Sequence, residues 1–126
     1  MNAVVAIPSV NPGGLDAPLG AHFGHCELYT LVEIEEGRIK ASRIIPNVPH
    51  QQGGCMAPVQ HLAQNGVKIL IAGGMGLRPL MGFNQVGIDV FYGGEARTAG
   101  EAVNALLEGR LARFSQEHTC GGGSHQ

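Results

Sequence analysis

Soft-ligand side chains gather in one short stretch of this sequence: His22, His25 and Cys26 stand in a His-x-x-His-Cys arrangement. Imidazole and thiolate suit copper, zinc and iron, whereas carboxylate and carbonyl oxygens suit harder ions. The stretch is half of a metal signature, because the strong zinc patterns add a second pair at set spacing. His50 and Cys55, with Met56 beside them, are the candidates for the other half. Cys55 stands where a helix is expected to start, a position that lowers a thiol pKa. Its other reading is a small apolar side chain filling the base of the helix. Glycine supplies a second set of residues. It occurs 20 times and forms the pairs Gly13-Gly14, Gly53-Gly54, Gly73-Gly74 and Gly93-Gly94. Paired glycines make tight turns, and they also let a ligand approach the backbone closely.

The elements that must position these residues can be read from apolar periodicity. Ala3 to Ile7 is a continuous β-branched run, which predicts a strand buried on both faces. A loop from Pro8 to His25 follows, with three prolines; loops of this length inside a compact domain are often functional. Residues 27–34 and 38–45 read as two strands joined by a turn at Glu35-Glu36-Gly37, a hairpin. Residues 55–65 carry Met56, Val59, Leu62 and Ala63 at helical spacing, with Pro58 in the first turn and Gly66 at the end. A short strand is expected at 68–72. A second helix spans 76–86, with Leu77, Leu80 and the core residue Met81 on its inner face. Residues 88–92 form the last strand. Thr98-Ala99-Gly100-Glu101 is a capping box opening a helix that buries Ala102, Val103, Leu106 and Leu107. His61, mid-helix, reads as a surface or core-edge residue. One domain over 1–112 and a flexible tail over 113–126, containing His118, Cys120 and His125, complete the division.

The order is therefore βββαβαβα, an α/β chain with a five-stranded mixed sheet. The hairpins send the second strand down and the third back up, and right-handed helical crossovers return the fourth and fifth strands parallel to the first. One end of the sheet then collects the loops 8–25, 46–54, 73–78 and 93–97. All four glycine pairs and the His/Cys candidates fall there. The carboxyl ends of parallel strands are where open α/β sheets bind ligands.

Composition narrows the function classes. A chain of 126 residues suits a single core. Net charge is −2, without the positive excess of general nucleic-acid binders. No apolar run approaches the roughly 20 residues of a membrane span, and no basic leader precedes the first strand, so a cytoplasmic setting is expected. Three cysteines do not make a disulfide framework. Asp16, Glu27 and Asp89 form no close acidic constellation, so nothing points to a metal-dependent nuclease.

The stretch His22-Phe23-Gly24-His25-Cys26-Glu27-Leu28-Tyr29 resembles the loop-to-strand motif of the dinitrogenase iron–molybdenum cofactor biosynthesis family, which includes NifX-like proteins and the C-terminal domain of NifB. Gly66 to Gly76 is similar to that family's next strand and turn, and Gly87 to Tyr92 to the strand after it. The Thr98 capping box and final helix also fit. The likeness runs from Val4 to Leu111. It implies a ribonuclease-H-like sheet and a non-catalytic carrier or scaffold for an anionic metal–sulfur cluster, of the molybdenum–copper sulfide or iron–molybdenum cofactor precursor type. Protein partners in cluster delivery are implied with it. One departure stands out: family members often carry Arg after the His-Phe-Gly, where this chain has His25 and Cys26.

Such a cluster presents sulfides and high negative charge. Backbone N–H groups at helix N-termini and glycine-rich nests can hold it without a covalent ligand. The expected cradle is Gly13, Gly14, Gly53, Gly54, Gly73, Gly74, Met75, Gly76, Gly93 and Gly94, with Arg78 and Arg97 adding charge or facing solvent. The expected metal ligands are His22, His25, Cys26, His50 and Cys55. Two other readings stay open: a simple copper or zinc module built on His22, His25 and Cys26, and a small nucleotide-binding domain using Gly73-Gly74-Met75-Gly76 as a phosphate cradle.

Overall fold

The hairpins and crossovers expected from the sequence all form. The computed structural model describes residues 2–19, 26–47, 56–93 and 96–115. His22, His25, His50, Gly53, Gly54, Cys55 and Gly94, with His118, Cys120 and His125, lie outside the described residues. The elements are β1 (Ala3–Ser9), β2 (Leu28–Glu35), β3 (Arg38–Pro46), α1 (Met56–Gln64), β4 (Ile69–Ala72), α2 (Leu77–Val86), β5 (Asp89–Tyr92) and α3 (Ala99–Leu107). They form one five-stranded sheet in the order β3-β2-β1-β4-β5. β2 runs antiparallel to β1 and β3, pairing Val5 with Val32 and Val32 with Ser42. β4 runs parallel to β1 and β5, pairing Val5 with Ile69 and Leu70 with Val90. The carboxyl ends of β1, β3, β4 and β5 therefore share one end of the sheet.

Strand alternation divides the core into two layers. On one face Ala6, Leu31, Leu70 and Val90 meet Val59 and Leu62 of α1 and Leu80 and Phe83 of α2. On the other, Val5, Ile7, Val32 and Ile71 meet Ala99, Ala102, Val103 and Leu106 of α3. Each Val, Leu, Ile or Phe among them taken fully out of water contributes about 1.5–3 kcal/mol. Glycines in the left-handed region stop α1 and α2: Gly66 has φ 80° and Gly87 φ 82°. The hairpin turn uses Glu36 (φ 54°) and Gly37 (φ 78°), two positive values that suit the twist of a two-residue loop.

Two expectations are corrected. Met81 is not core: it is 53% exposed, and Leu77 is 41% exposed. α2 instead buries Pro79, Leu80, Gly82 and Phe83, because the aromatic Phe83 fills more of the space beside α1 than the 77/81 stripe can. The fold also continues past residue 112. Arg113 bridges Phe91 antiparallel, Tyr92 donates to the Ala112 carbonyl at 2.8 Å and Phe114 to that of Val90 at 2.8 Å. Phe114 is buried in the α1/α2 layer.

Candidate functional site

The loop after β1 is a fixed part of the structure over its described length. Gly13 (φ 79°) and Gly14 (φ 97°) make the turn, and an added Cβ on Gly13 would lie 2.9 Å from terminal methyls of both Leu28 and Ile44. Gly14 donates to Thr30 Oγ1 at 3.0 Å. These two predicted cradle residues thus fold over the β2–β3 side of the sheet. The chain then crosses to α3, where Gly100 N–H donates to the Leu15 carbonyl (2.7 Å) and Ala99 N–H to that of Ala17 (2.9 Å). Thr98 Oγ1 accepts from Glu101 N–H at 3.1 Å. The first-turn donors of α3 are all satisfied from within the chain.

The N-terminus of α2 differs. It begins directly after β4 through Gly73, Gly74, Met75 and Gly76. Gly76 is an extended N-cap without a side-chain hydrogen bond, and no acid stands in the first turn. Among the described residues, no carbonyl or side chain reaches the N–H groups of Leu77 and Arg78. Gly73 is exposed, Gly74 is buried, and Arg78 is exposed without an ion pair among the described residues. Such an end carries partial positive charge and unsatisfied donors. Met75, expected in the cradle, is wholly buried in the α1/α2 layer. Its side chain is a core side chain, and only its backbone borders the turn.

Cys26 lies on the same face, half-buried and packed against that layer. Asn47 fixes it twice: Nδ2 donates to the Cys26 carbonyl at 2.9 Å and faces Sγ at 3.8 Å. The fully buried Tyr29 stands beside the thiol. Neither Asn47 nor Tyr29 was singled out by spacing, because both act across a strand pair and not along the chain. Burial pushes the Tyr29 hydroxyl well above the ordinary tyrosine range, with Cys26 adding to the shift. The folded state therefore keeps this proton when the unfolded chain loses it. Above about pH 10 the unfolded state binds fewer protons, so stability falls as pH rises. Urea midpoints should drop between pH 8 and pH 11, and by less in Tyr29→Phe; equal drops in both proteins would remove Tyr29 as the cause.

The other predicted residues fall elsewhere at the same end. Gly93 is buried and donates to the Ala72 carbonyl at 2.9 Å, and Arg97 gives its carbonyl to Leu19 N–H at 3.3 Å. Arg97 belongs to the α3 side and Arg78 to α2, so the two cations approach from opposite faces of the sheet. A depression of about 750 Å³ between α3 and residues 110–112 includes Gly93 but is walled by Glu101, Asn104 and Glu108. Arg110 also lines it but is paired with Glu108, so the two carboxylates leave it a poorer seat for an anion than the α2 end. Among the described residues, no three His, Cys, Asp or Glu side chains converge on a metal-sized space. No helix among them is long and apolar enough to cross a membrane.

Residues 1–109 match the sequence profile of the family described as dinitrogenase iron-molybdenum cofactor. The chain belongs to that family. Within the curated proteins it is 37% identical over 100 residues to an uncharacterised protein of Methanocaldococcus jannaschii, covering 76% of this chain and 82% of that one. Among solved structures, a Thermotoga protein provisionally named a NifB protein is 30% identical with a TM-score of 0.71, covering 91% of this chain and 98% of its own. The apo form of the orange protein from Desulfovibrio gigas superimposes with a TM-score of 0.78 at 22% identity, covering 91% and 95%; that likeness is one of fold. The dinitrogenase-cofactor profile thus spans every described element from β1 to α3.

Proposed function

We propose that this protein is a non-catalytic carrier whose cargo is an anionic metal–sulfur cluster, seated at the N-terminus of α2. The observation that carries the reading is the contrast between the α2 and α3 ends: α3 is closed by the chain's own carbonyls, whereas among the described residues nothing caps the N–H groups of Leu77 and Arg78, which stand beside a glycine turn and a cation. Membership of the dinitrogenase-cofactor family supports the cargo class. The donor chemistry fits it: backbone N–H groups and a guanidinium bind sulfides and negative charge without a redox-active ligand. Cys26, on the same face, adds a soft donor suited to copper. His22, His25, His50 and Cys55 are proposed as further soft ligands, and Gly53, Gly54 and Gly94 as further cradle residues. Molybdenum–copper sulfide is the cluster composition that uses both donor classes. The carrier is assigned to the cytoplasm, with delivery proteins as its partners.

The test is a titration of the anaerobic apoprotein with tetrathiomolybdate, with and without copper(I), following the visible band retained after gel filtration. A saturable, stoichiometric band that needs both metals is expected. Tight binding of bare copper or zinc with no retained chromophore would replace the proposal with a simple metal module. Binding of neither, with retention of a nucleotide, would replace it with a phosphate-cradle function.

A further inference from the structure

Ser9 and Thr30 are buried polar side chains of the described core, both wholly inaccessible. Their protons have a defined direction. Ser9 Oγ donates to the Ile7 carbonyl at 2.9 Å, so the 3.0 Å contact between the hydroxyls is a donation from Thr30 to Ser9. The remaining acceptor capacity of Thr30 Oγ1 faces outward along the sheet and takes the Gly14 N–H at 3.0 Å. A buried polar group is costly unless paired, and valine would suit both strand positions better. What the pair adds over valine is a grip on Gly14.

From Gly14 the chain runs to α3. The Leu15 and Ala17 carbonyls receive Gly100 and Ala99 N–H, and Leu19 N–H reaches the Arg97 carbonyl. Gly100 reports the contact independently. It occupies the second position of a helix, where glycine is unfavourable, and an added Cβ would stand 3.0 Å from the Leu15 carbonyl oxygen. That space is taken by the strap, so a methyl there must push the Leu15 carbonyl aside by a few tenths of an ångström.

We infer that residues 14–19 form a specificity-determining strap, locked by the Ser9–Thr30 pair, which fills the N-terminus of α3 and leaves α2 to receive the anion. Three helices start at the same end of the sheet; α1 opens beside residues outside the described ones, and of the other two each would otherwise offer first-turn donors to an oxyanion or sulfido-anion. The strap makes them inequivalent. Thr30 is a positioning residue: it touches no cargo and acts through Gly14. The inference rests on the proposed function for its consequence, but the lock itself can be tested without any cargo.

At 13.2 kDa the protein suits amide-resolved NMR. Hydrogen exchange at Ala99 and Gly100, and the response of their resonances to tetrathiomolybdate, would be compared in wild type, Thr30→Val and Thr30→Ser. In wild type both amides should exchange slowly and stay unmoved by the anion, while Leu77 and Arg78 respond. In Thr30→Val, exchange at Ala99 and Gly100 should accelerate about tenfold, the effect of one lost hydrogen bond, and their resonances should begin to follow the anion. Thr30→Ser should restore the wild-type pattern. Unchanged exchange in a folded Thr30→Val, or a wild-type α3 that responds to the anion, would overturn the strap. Should Thr30→Val not fold, Gly100→Ala pushes on the same carbonyl from the helix side and must give the same acceleration. Silence at Leu77 and Arg78 in wild type would overturn the α2 seat while leaving the exchange result to decide the lock.

Discussion

Phe114→Ala should lower the unfolding free energy by about 3–5 kcal/mol, the range for an aromatic side chain truncated in a core. Phe114 is 6% exposed and sits in the α1/α2 layer with Leu62, Phe83 and Val90. Its ring meets Tyr92 edge-on at 5.9 Å, and its N–H closes on the Val90 carbonyl at 2.8 Å. Truncation opens a void that well-packed neighbours on a sheet cannot collapse into. Arg113→Ala is the internal comparison. Its ion pair with Asp89 is exposed and its guanidinium lies 5.4 Å from the Phe91 ring centroid, contacts worth about 1 kcal/mol or less in water. Urea denaturation of both variants measures the difference. A Phe114→Ala loss as small as that of Arg113→Ala would show that the segment does not belong to the core.

Arg78→Glu carries the largest expected effect on binding. The exposed side chain supports no part of the fold, so the urea midpoint should stay near wild type. Retention of the tetrathiomolybdate–copper chromophore should weaken about tenfold or more, since charge-assisted hydrogen bonds contribute about 1.5–3 kcal/mol and a carboxylate replaces the cation at a helix end that favours anions. Raising the salt concentration should weaken wild type more than the variant, because screening acts on the attraction that the substitution has already removed. Arg97→Glu, beside a helix end already filled by the strap, should change retention less. Equal losses in the two variants would mean that long-range charge alone steers the cargo. An unchanged Arg78→Glu would remove α2 as the seat.

Much of this architecture was legible because few alternatives exist. The Glu36-Gly37 turn dictates a hairpin, and helical crossovers of this length permit only parallel returns, so the directions of β1 to β5 followed from the chain order. The convergence of Gly73–Arg78 and Cys26 at one end was a consequence of those directions. Met81 was misplaced for a local reason. α2 carries two apolar stripes, one through Leu77 and Met81 and one through Leu80 and Phe83, and periodicity cannot rank them; the space beside α1 does. Phe114 was invisible for the opposite reason: it has no periodic neighbours, and its partners Val90 and Tyr92 are distant in sequence. The closure of α3 was also hidden, since it is made by main-chain carbonyls. Its one trace in the sequence is polar: Ser9 and Thr30 interrupt inward positions of otherwise apolar strands. Asn47, which fixes Cys26, left no pattern because it acts from beyond the end of β3.

The return of residues 112–114 alongside β5 also bears on how copies of this protein can meet. A sheet that grows from molecule to molecule, as in a fibril, needs two vacant margins on every copy. Here the outward backbone groups of Val90 and Tyr92 are already used by Phe114 and Ala112. With the opposite side now ending in the short segment 112–114, that leaves β3 as the one long margin among the described residues. It carries Arg38, Lys40 and Arg43, all exposed, and its pairing with β2 slips at Glu33/Ile34; like charges and an irregular register both discourage strand addition. Even where two copies overcame that repulsion, the contact would consume the margin of each and propagation would stop at a pair. The same short segment that buries Phe114 thus ends the sheet as a template for polymerisation.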